Sequence, residues 1–184
     1  MRELHPLDVS YDRNAWPSRA PWLIRSPVHA ASLTHSYDRP MADSPDPAPT
    51  ATPQQFRDSM PFFALLGVEL LEATPELVTG RLHYAPQLCT AGGLLHGGAL
   101  MALADGCGGV CAFLNLPDGA IGTATIESKT NFLRGVRDGA ITSSTRPLHA
   151  GRTTIVIETE IVRADGAMAA KVTQTQAFHY PRGA

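Results

Sequence analysis

The chain has no cluster of basic residues, and its Lys and Arg (15) almost balance its Asp and Glu (17), leaving a formal net charge of −2 at pH 7. A phosphate-backbone track or an anionic membrane surface calls for a concentrated positive patch, so neither nucleic acid nor membrane is an expected partner. No apolar run approaches the ~20 residues of a transmembrane helix. The N-terminus lacks the short apolar core of a secretory leader, because Pro and charge interrupt it throughout. Cysteine is scarce, and Cys89, Cys107 and Cys111 are an odd number in no metal-ligand spacing. That argues against a disulfide framework and points to a reducing, cytoplasmic compartment. His83, His149 and His179 share no spacing that would gather a metal, so none is expected. What remains is a chain of 184 residues that is 43% hydrophobic, enough for one domain with a packed core.

Glycine is missing from the first 66 residues, whereas nine of the fifteen prolines fall in residues 1–53. Repeated X-Pro pairs prevent a helix or a strand ladder from continuing. Residues 1–52 therefore read as a Pro-rich, largely extended or disordered N-terminal extension, and residues 53–184 as the folded domain. Trp16, Trp22 and Leu23-Ile24 are unusual in a solvating tail. The simpler reading is that they are exposed; the alternatives are that they dock on a neighbouring subunit, or that Met41 is the physiological start.

After residue 52 the pattern becomes regular. Thr52-Pro53 reads as the cap and first position of a short helix running through Gln54 to Met60. Val68 to Ala73 and Leu77 to Tyr84 read as strands separated by the turn Thr74-Pro75-Glu76. A helix is expected from about Gly97 to Phe113, then strands over Ile121 to Leu133, Ala140 to Leu148, Thr153 to Arg163 and Ala167 to Tyr180. Asp165-Gly166 joins the last two as a two-residue hairpin. Ile155, Ile157, Thr159 and Ile161 share one face of their strand. One long helix among roughly six mostly hairpin-linked strands is an α+β layout with an antiparallel sheet.

The expected long helix is apolar almost all round, so it should be buried and wrapped by the sheet. Asp105 is its only charged residue. A buried carboxylate is costly unless paired or used, so Asp105 is either a structural group bonded to a loop or a Thr hydroxyl, or a catalytic one. Gly97 and Gly98 stand where the helix begins and its first N–H groups are unpaired and partly positive. Glycine there lets a carbonyl oxygen approach the backbone, the geometry of an oxyanion hole; a plain helix-start turn is the alternative. His96 and Asp105 are nine residues apart, which on a helix is about 180° round and roughly 13 Å along. They cannot pair within one helix. Either one of them matters alone, or the Asp of one subunit serves the Gly-Gly turn of another. Gly106, Gly108 and Gly109 favour the second reading, because each costs ~1 kcal/mol against Ala inside a helix and close approach of a second backbone is a reason to keep it. A dimer with interfacial sites is the expectation.

His96-Gly97-Gly98 with Leu103-Ala104-Asp105, and the segment Thr-Ala-Thr-Ile-Glu-Ser-Lys-Thr-Asn-Phe-Leu-Arg over 123–134, resemble the PaaI-type branch of the hotdog-fold acyl-CoA thioesterases, within the 4-hydroxybenzoyl-CoA thioesterase-like superfamily. Gly151-Arg152 and the Asp165-Gly166 hairpin match in position, and the resemblance covers about residues 55–180. It implies a hotdog fold, a long central helix wrapped by a five- to six-stranded antiparallel sheet, in a homodimer or a dimer of dimers. It implies hydrolysis of a small or medium acyl-CoA, aryl-acetyl included, with no metal or organic cofactor. By position Asp105 would be the catalytic carboxylate, as base or nucleophile, and the Gly97 N–H would polarise the thioester carbonyl. Gly98 would contact the substrate, and His96 would shape the turn. Thr125 stands where relatives carry a Ser or Thr that helps hold the attacking water. Thr90 stands where many carry Asn, so one hydroxyl replaces an amide.

Arg134 and Arg152 are candidates for the CoA phosphates, which Arg suits, or are ordinary surface residues. Thr90 keeps a second function open, a non-catalytic hotdog protein that binds acyl-CoA or an acyl carrier. A hotdog hydratase is a third, disfavoured because it would pair a His with a carboxylate. Cys89 is near His96 in sequence but has no third group to orient it, and reads as a small loop residue. Cys107 and Cys111 read as core. No Lys-Ser/Thr follows the glycines, so they form no phosphate loop.

Overall fold

The computed structural model describes residues 51–181. Of the extension read over residues 1–52, all but Ala51 and Thr52 lie outside the described residues, and so do Trp16, Trp22, Leu23, Ile24 and Met41.

Thr52 caps helix α1 (Pro53–Asp58): its hydroxyl accepts from the Gln55 N–H at 3.3 Å while the Gln55 side chain accepts from the Thr52 N–H at 2.7 Å. The expected helix through Met60 stops sooner, and a second one, α2 (Pro61–Leu66), begins at Pro61. Proline suits a first helical position because no N–H is needed there, and Gly67 closes the helix in the left-handed region at φ 73°. Then come β1 (Glu69–Ala73), β2 (Val78–His83), a short turn of 3-10 helix (Pro86–Leu88), α3 (Gly97–Leu114), β3 (Gly122–Phe132), β4 (Ala140–Ala150), β5 (Thr154–Arg163) and β6 (Met168–His179). Every expected strand, and the long helix, is present with ends within two residues of the sequence reading.

The strands form one antiparallel sheet in the order β1-β2-β4-β5-β6-β3. Helix α3 lies against β2 to β6, the hotdog arrangement. Ile155, Ile157, Thr159 and Ile161 are all buried on one face of β5, as their alternation implies. Each fully buried Ile contributes ~1.5–3 kcal/mol against exposure. Cys107 and Cys111 belong to the same core, and burial pushes their thiols up to about 12 and about 11.

Three expectations for α3 are corrected. The helix is not buried all round: Leu103, Ala104, Cys107 and Cys111 face the sheet, whereas Gly98, Met101 and Asp105 are exposed in the single chain. Within one chain Asp105 is therefore not a buried carboxylate, because one sheet can cover only one side of a helix. The length and mean hydropathy of α3 (18 residues, 1.5) would suffice for a membrane crossing, yet half of it is buried in the fold, which marks a core helix. The helix glycines also have a different reason. A Cβ on Gly106 would lie 2.0 Å from two atoms of the buried Phe63 ring, and one on Gly108 would lie 2.1 Å from Gln174 Oε1. Those glycines admit side chains of their own chain. Gly109 has only Gln176 Nε2 within reach, at 3.9 Å, so its own chain accounts for Gly106 and Gly108 but not for Gly109.

Candidate active site

The start of α3 is set by His96. Its backbone is extended, and its Nδ1 accepts the Gly98 N–H at 2.8 Å. A Cβ on Gly98 would meet that ring nitrogen at 3.0 Å, so glycine seats the cap. The Gly98 N–H is thereby occupied, and of the two glycines only Gly97 keeps a free donor, having no acceptor among the described residues. This N–H sits at the positive end of the helix dipole. Phe132 closes over it, its ring 2.9 Å from where a Gly97 Cβ would be. A cavity of about 390 Å³ opens there, lined by Thr90, Leu94, Gly97, Leu100, Phe132 and Arg134 among others. A smaller one of about 260 Å³ lies on the helix face bearing Gly98 and Ala102, with Phe62, Cys89 and His96 in its wall. Cys89 is half-buried and its thiol donates to the Ala85 carbonyl at 3.3 Å, not to His96.

Arg134 stands at the rim of the larger cavity and donates to the Met168 carbonyl at 3.3 Å. Arg152 lies in the exposed turn between β4 and β5, where its carbonyl accepts the Tyr180 hydroxyl. The two arginines are thus at opposite ends of β6, roughly 35 Å apart along a strand of that length. One chain does not bring them together.

Asp105 is held from one side. Thr125 Oγ1 donates to Asp105 Oδ1 at 2.9 Å, and Gln174 Nε2 donates to the same oxygen at 2.6 Å and to Thr125 Oγ1 at 2.9 Å. Asp105 Oδ2 has no partner among the described residues. Gln174 was not anticipated from the sequence, although a signal exists. The inward row of β6 runs Ala170, Val172, Gln174, Gln176, Phe178, and two amides on a core face must find partners.

A bulge in β3 aims both of its site residues at α3. The register with β6 jumps between Thr125↔Gln176 and Glu127↔Thr175, making Ile126 the extra residue. Thr125 and Phe132 are seven apart and would face opposite ways on a regular strand. With the bulge, Thr125 reaches Asp105 and Phe132 reaches Gly97. Within one chain those two ends remain separate. Gly97 and Asp105 are eight residues apart on α3, roughly 12 Å, and Asp105 lines neither cavity. Beside Asp105, β3 is an edge strand that exposes Ile126 (62%) and Phe132 (54%). A long edge strand with unpaired backbone groups is a template for strand pairing.

Chemically, a carboxylate with one oxygen fixed and one free can take a proton from water or add to a carbonyl carbon. A helix-start N–H can bind the oxygen that becomes negative as a tetrahedral centre forms. Among the described residues no group of three His, Cys, Asp or Glu is placed to hold a metal ion.

The family profile described as the Thioesterase superfamily matches residues 92–170, a span that contains Gly97, Asp105, Thr125, Arg134 and Arg152. A Saccharolobus solfataricus protein provisionally named an esterase is 34% identical over 116 residues, which is 63% of this chain and 81% of that relative. The proofreading thioesterase EntH of Cronobacter sakazakii is 38% identical over 90 residues, 49% of this chain and 60% of that relative. Among solved structures, a mutant thioesterase from Pseudomonas aeruginosa is similar with a TM-score of 0.67 and 29% identity, over 71% of this chain and 95% of that one.

Proposed function

The chain belongs to the thioesterase superfamily, and from that membership we propose that it hydrolyses a cytoplasmic acyl-CoA thioester to the free acid and CoA, at a site completed by a second copy of itself. The observation that carries this reading is the one-sided hold on Asp105, which fixes Oδ1 through Thr125 and Gln174 and leaves Oδ2 without a partner among the described residues, next to β3, an edge strand of the sheet. Two β3 edges joined antiparallel make a two-fold interface. The helices then run side by side in opposite directions, so the Gly97 turn of one copy faces the Asp105 of the other.

The Gly97 N–H polarises the thioester carbonyl, a donor typically worth about 3 kcal/mol in the transition state. Asp105 takes the proton of a water that adds to the carbonyl carbon, and returns it to the departing CoA thiolate; direct attack by Oδ2 is the variant mechanism. The larger cavity takes a small or medium acyl group, aryl-acetyl included. Arg134 and Arg152, far apart in one chain, meet the CoA phosphates from different copies.

Thr90 favours a second reading. Thr90 lines the cavity, its hydroxyl has no hydrogen-bond partner among the described residues, and it offers less than an amide would to hold a water, which suits a protein that binds acyl-CoA or an acyl carrier without cleaving it. Thiol release from phenylacetyl-, benzoyl-, short and medium aliphatic CoAs separates the two. Wild type should release thiol and Asp105→Asn should not, with the circular dichroism and sedimentation of the variant unchanged because Asn has the shape of Asp and keeps an oxygen for the Thr125 and Gln174 donors. Acyl-CoA that binds but is never cleaved would establish the second reading instead.

A further inference from the structure

Gln174 is an amide in a place where stability favours a hydrocarbon. It is 1% exposed on the core face of β6, and its buried Oε1 has no hydrogen-bond partner among the described residues. Opposite it, α3 carries Gly108, where a Cβ would fall 2.1 Å from that oxygen. An unmet buried acceptor and a glycine inside a helix are both destabilising. A methionine of similar length would remove the unmet acceptor. What the amide gains lies entirely at Nε2, which reaches Asp105 Oδ1 at 2.6 Å and Thr125 Oγ1 at 2.9 Å. A carboxylate only accepts, so the nitrogen is the end that faces it.

We infer that Gln174 is a positioning residue for hydrolysis: with Thr125 it pins Oδ1 of Asp105 toward the sheet, so that Oδ2 is the oxygen presented to water and thioester. The inference rests on the acyl-CoA hydrolase reading above. Two donors from two different strands, β6 and β3, fix the plane of the carboxyl group, whereas Thr125 alone would leave it free to swing. Gln176 is the natural comparison. It is equally buried on the same face, but its amide accepts from Thr123 Oγ1 at 2.8 Å and does not touch Asp105.

Steady-state thiol release and thermal melts of wild type, Gln174→Met, Gln174→Leu, Gln176→Met, Thr125→Val and the Gln174→Met/Thr125→Val double variant test it. Misplacing the carboxylate should lower kcat by about 10- to 100-fold, with KM changed less than about twofold because substrate binding is untouched. The melting temperature of Gln174→Met should be no lower than that of wild type, and Gln176→Met should keep wild-type kcat. Gln174 and Thr125 act through one oxygen, so the double variant should lose less than the product of the two single losses. Wild-type kcat in both Gln174 variants overturns the inference. So does a kcat loss that is matched by Gln176→Met, or that multiplies fully with Thr125→Val. A wild type that cleaves no acyl-CoA defeats the hydrolase reading and this inference together. Turnover that vanishes in Asp105→Asn but keeps its wild-type kcat in Gln174→Met and Gln174→Leu defeats this inference alone.

Discussion

Gly108→Ala separates the geometry of the site from the stability of the helix that carries it. The added Cβ would lie 2.1 Å from Gln174 Oε1, 2.9 Å from Cδ and 3.3 Å from Nε2, where ordinary contact begins at 3.4 Å. All three amide atoms are crowded, so turning the amide about its last bond gives no relief and the group must withdraw from α3 by more than ~1 Å to reach normal contact. Nε2 now stands 2.6 Å from Asp105 and 2.9 Å from Thr125, and a bond stretched past about 3.5 Å has ceased to be one. The helix itself gains, since Ala is favoured over Gly by ~1 kcal/mol in a helix interior. Losing a hydrogen bond to a charged group costs about 1.5–3 kcal/mol when nothing replaces it; water can replace it at Asp105, exposed in the single chain, but not at the buried Gln174 Nε2. Against the ~1 kcal/mol gained by the helix, the net loss should be about 1–2 kcal/mol, a fall of about 3–10 °C in melting temperature for a domain of this size. The catalytic rate should fall by about 10- to 100-fold. Thermal melts and thiol release on one preparation give both numbers. A variant with unchanged kcat refutes the argument, because the contact between amide and carboxylate would then be dispensable.

Two further outcomes are expected. Ile126→Lys places a charge near the middle of the free edge of β3, close to its own copy across a two-fold pairing, so sedimentation velocity should show dissociation and thiol release should fall with it; an unchanged dimer would exclude this edge as the interface. Iodoacetamide at pH 8 should add once per native chain, at half-buried Cys89, because burial removes access to Cys107 and Cys111 and pushes their thiols up to about 12 and about 11, well above the working pH; two or more adducts by intact mass would contradict the packing.

Much of the fold was legible because it is local. The alternation of Ile155, Ile157, Thr159 and Ile161, the hairpin at Asp165-Gly166 and the cap at Thr52-Pro53 each depend on residues within a few positions of one another. The second helix at Pro61 was missed because Pro-Phe-Phe reads equally as the end of one helix or the start of the next, and the decision lies with Phe63, whose ring fills the space over Gly106. The glycines of α3 were legible as anomalies but not as to cause. From one strand of sequence, room left for a second backbone and room left for a side chain of the same chain look alike. The packing of Phe63 and Gln174 tells them apart.

The site was harder to read for a related reason, and the bulge at Ile126 shows why. Read as a regular strand, the segment from Ile121 to Leu133 sends Thr125 and Phe132 to opposite faces, so no local pattern places both on the helix. The extra residue is visible only in the register against β6, a strand more than forty positions later. Gln174 was hidden in the same way, since its partners Asp105 and Thr125 come from two other elements. Once the register is known, β3 proves to touch every part of the proposed chemistry. It meets Asp105 through Thr125, it meets the Gly97 turn through Phe132, and its outer edge is the unpaired one. A second copy that pairs along that edge therefore sets the distance between one Gly97 and the other Asp105 by the hydrogen-bond register of the joint. In the proposed dimer a slip of a single residue there would change which face each side chain shows, so the register of that joint would belong to the proposed site as much as the carboxylate does.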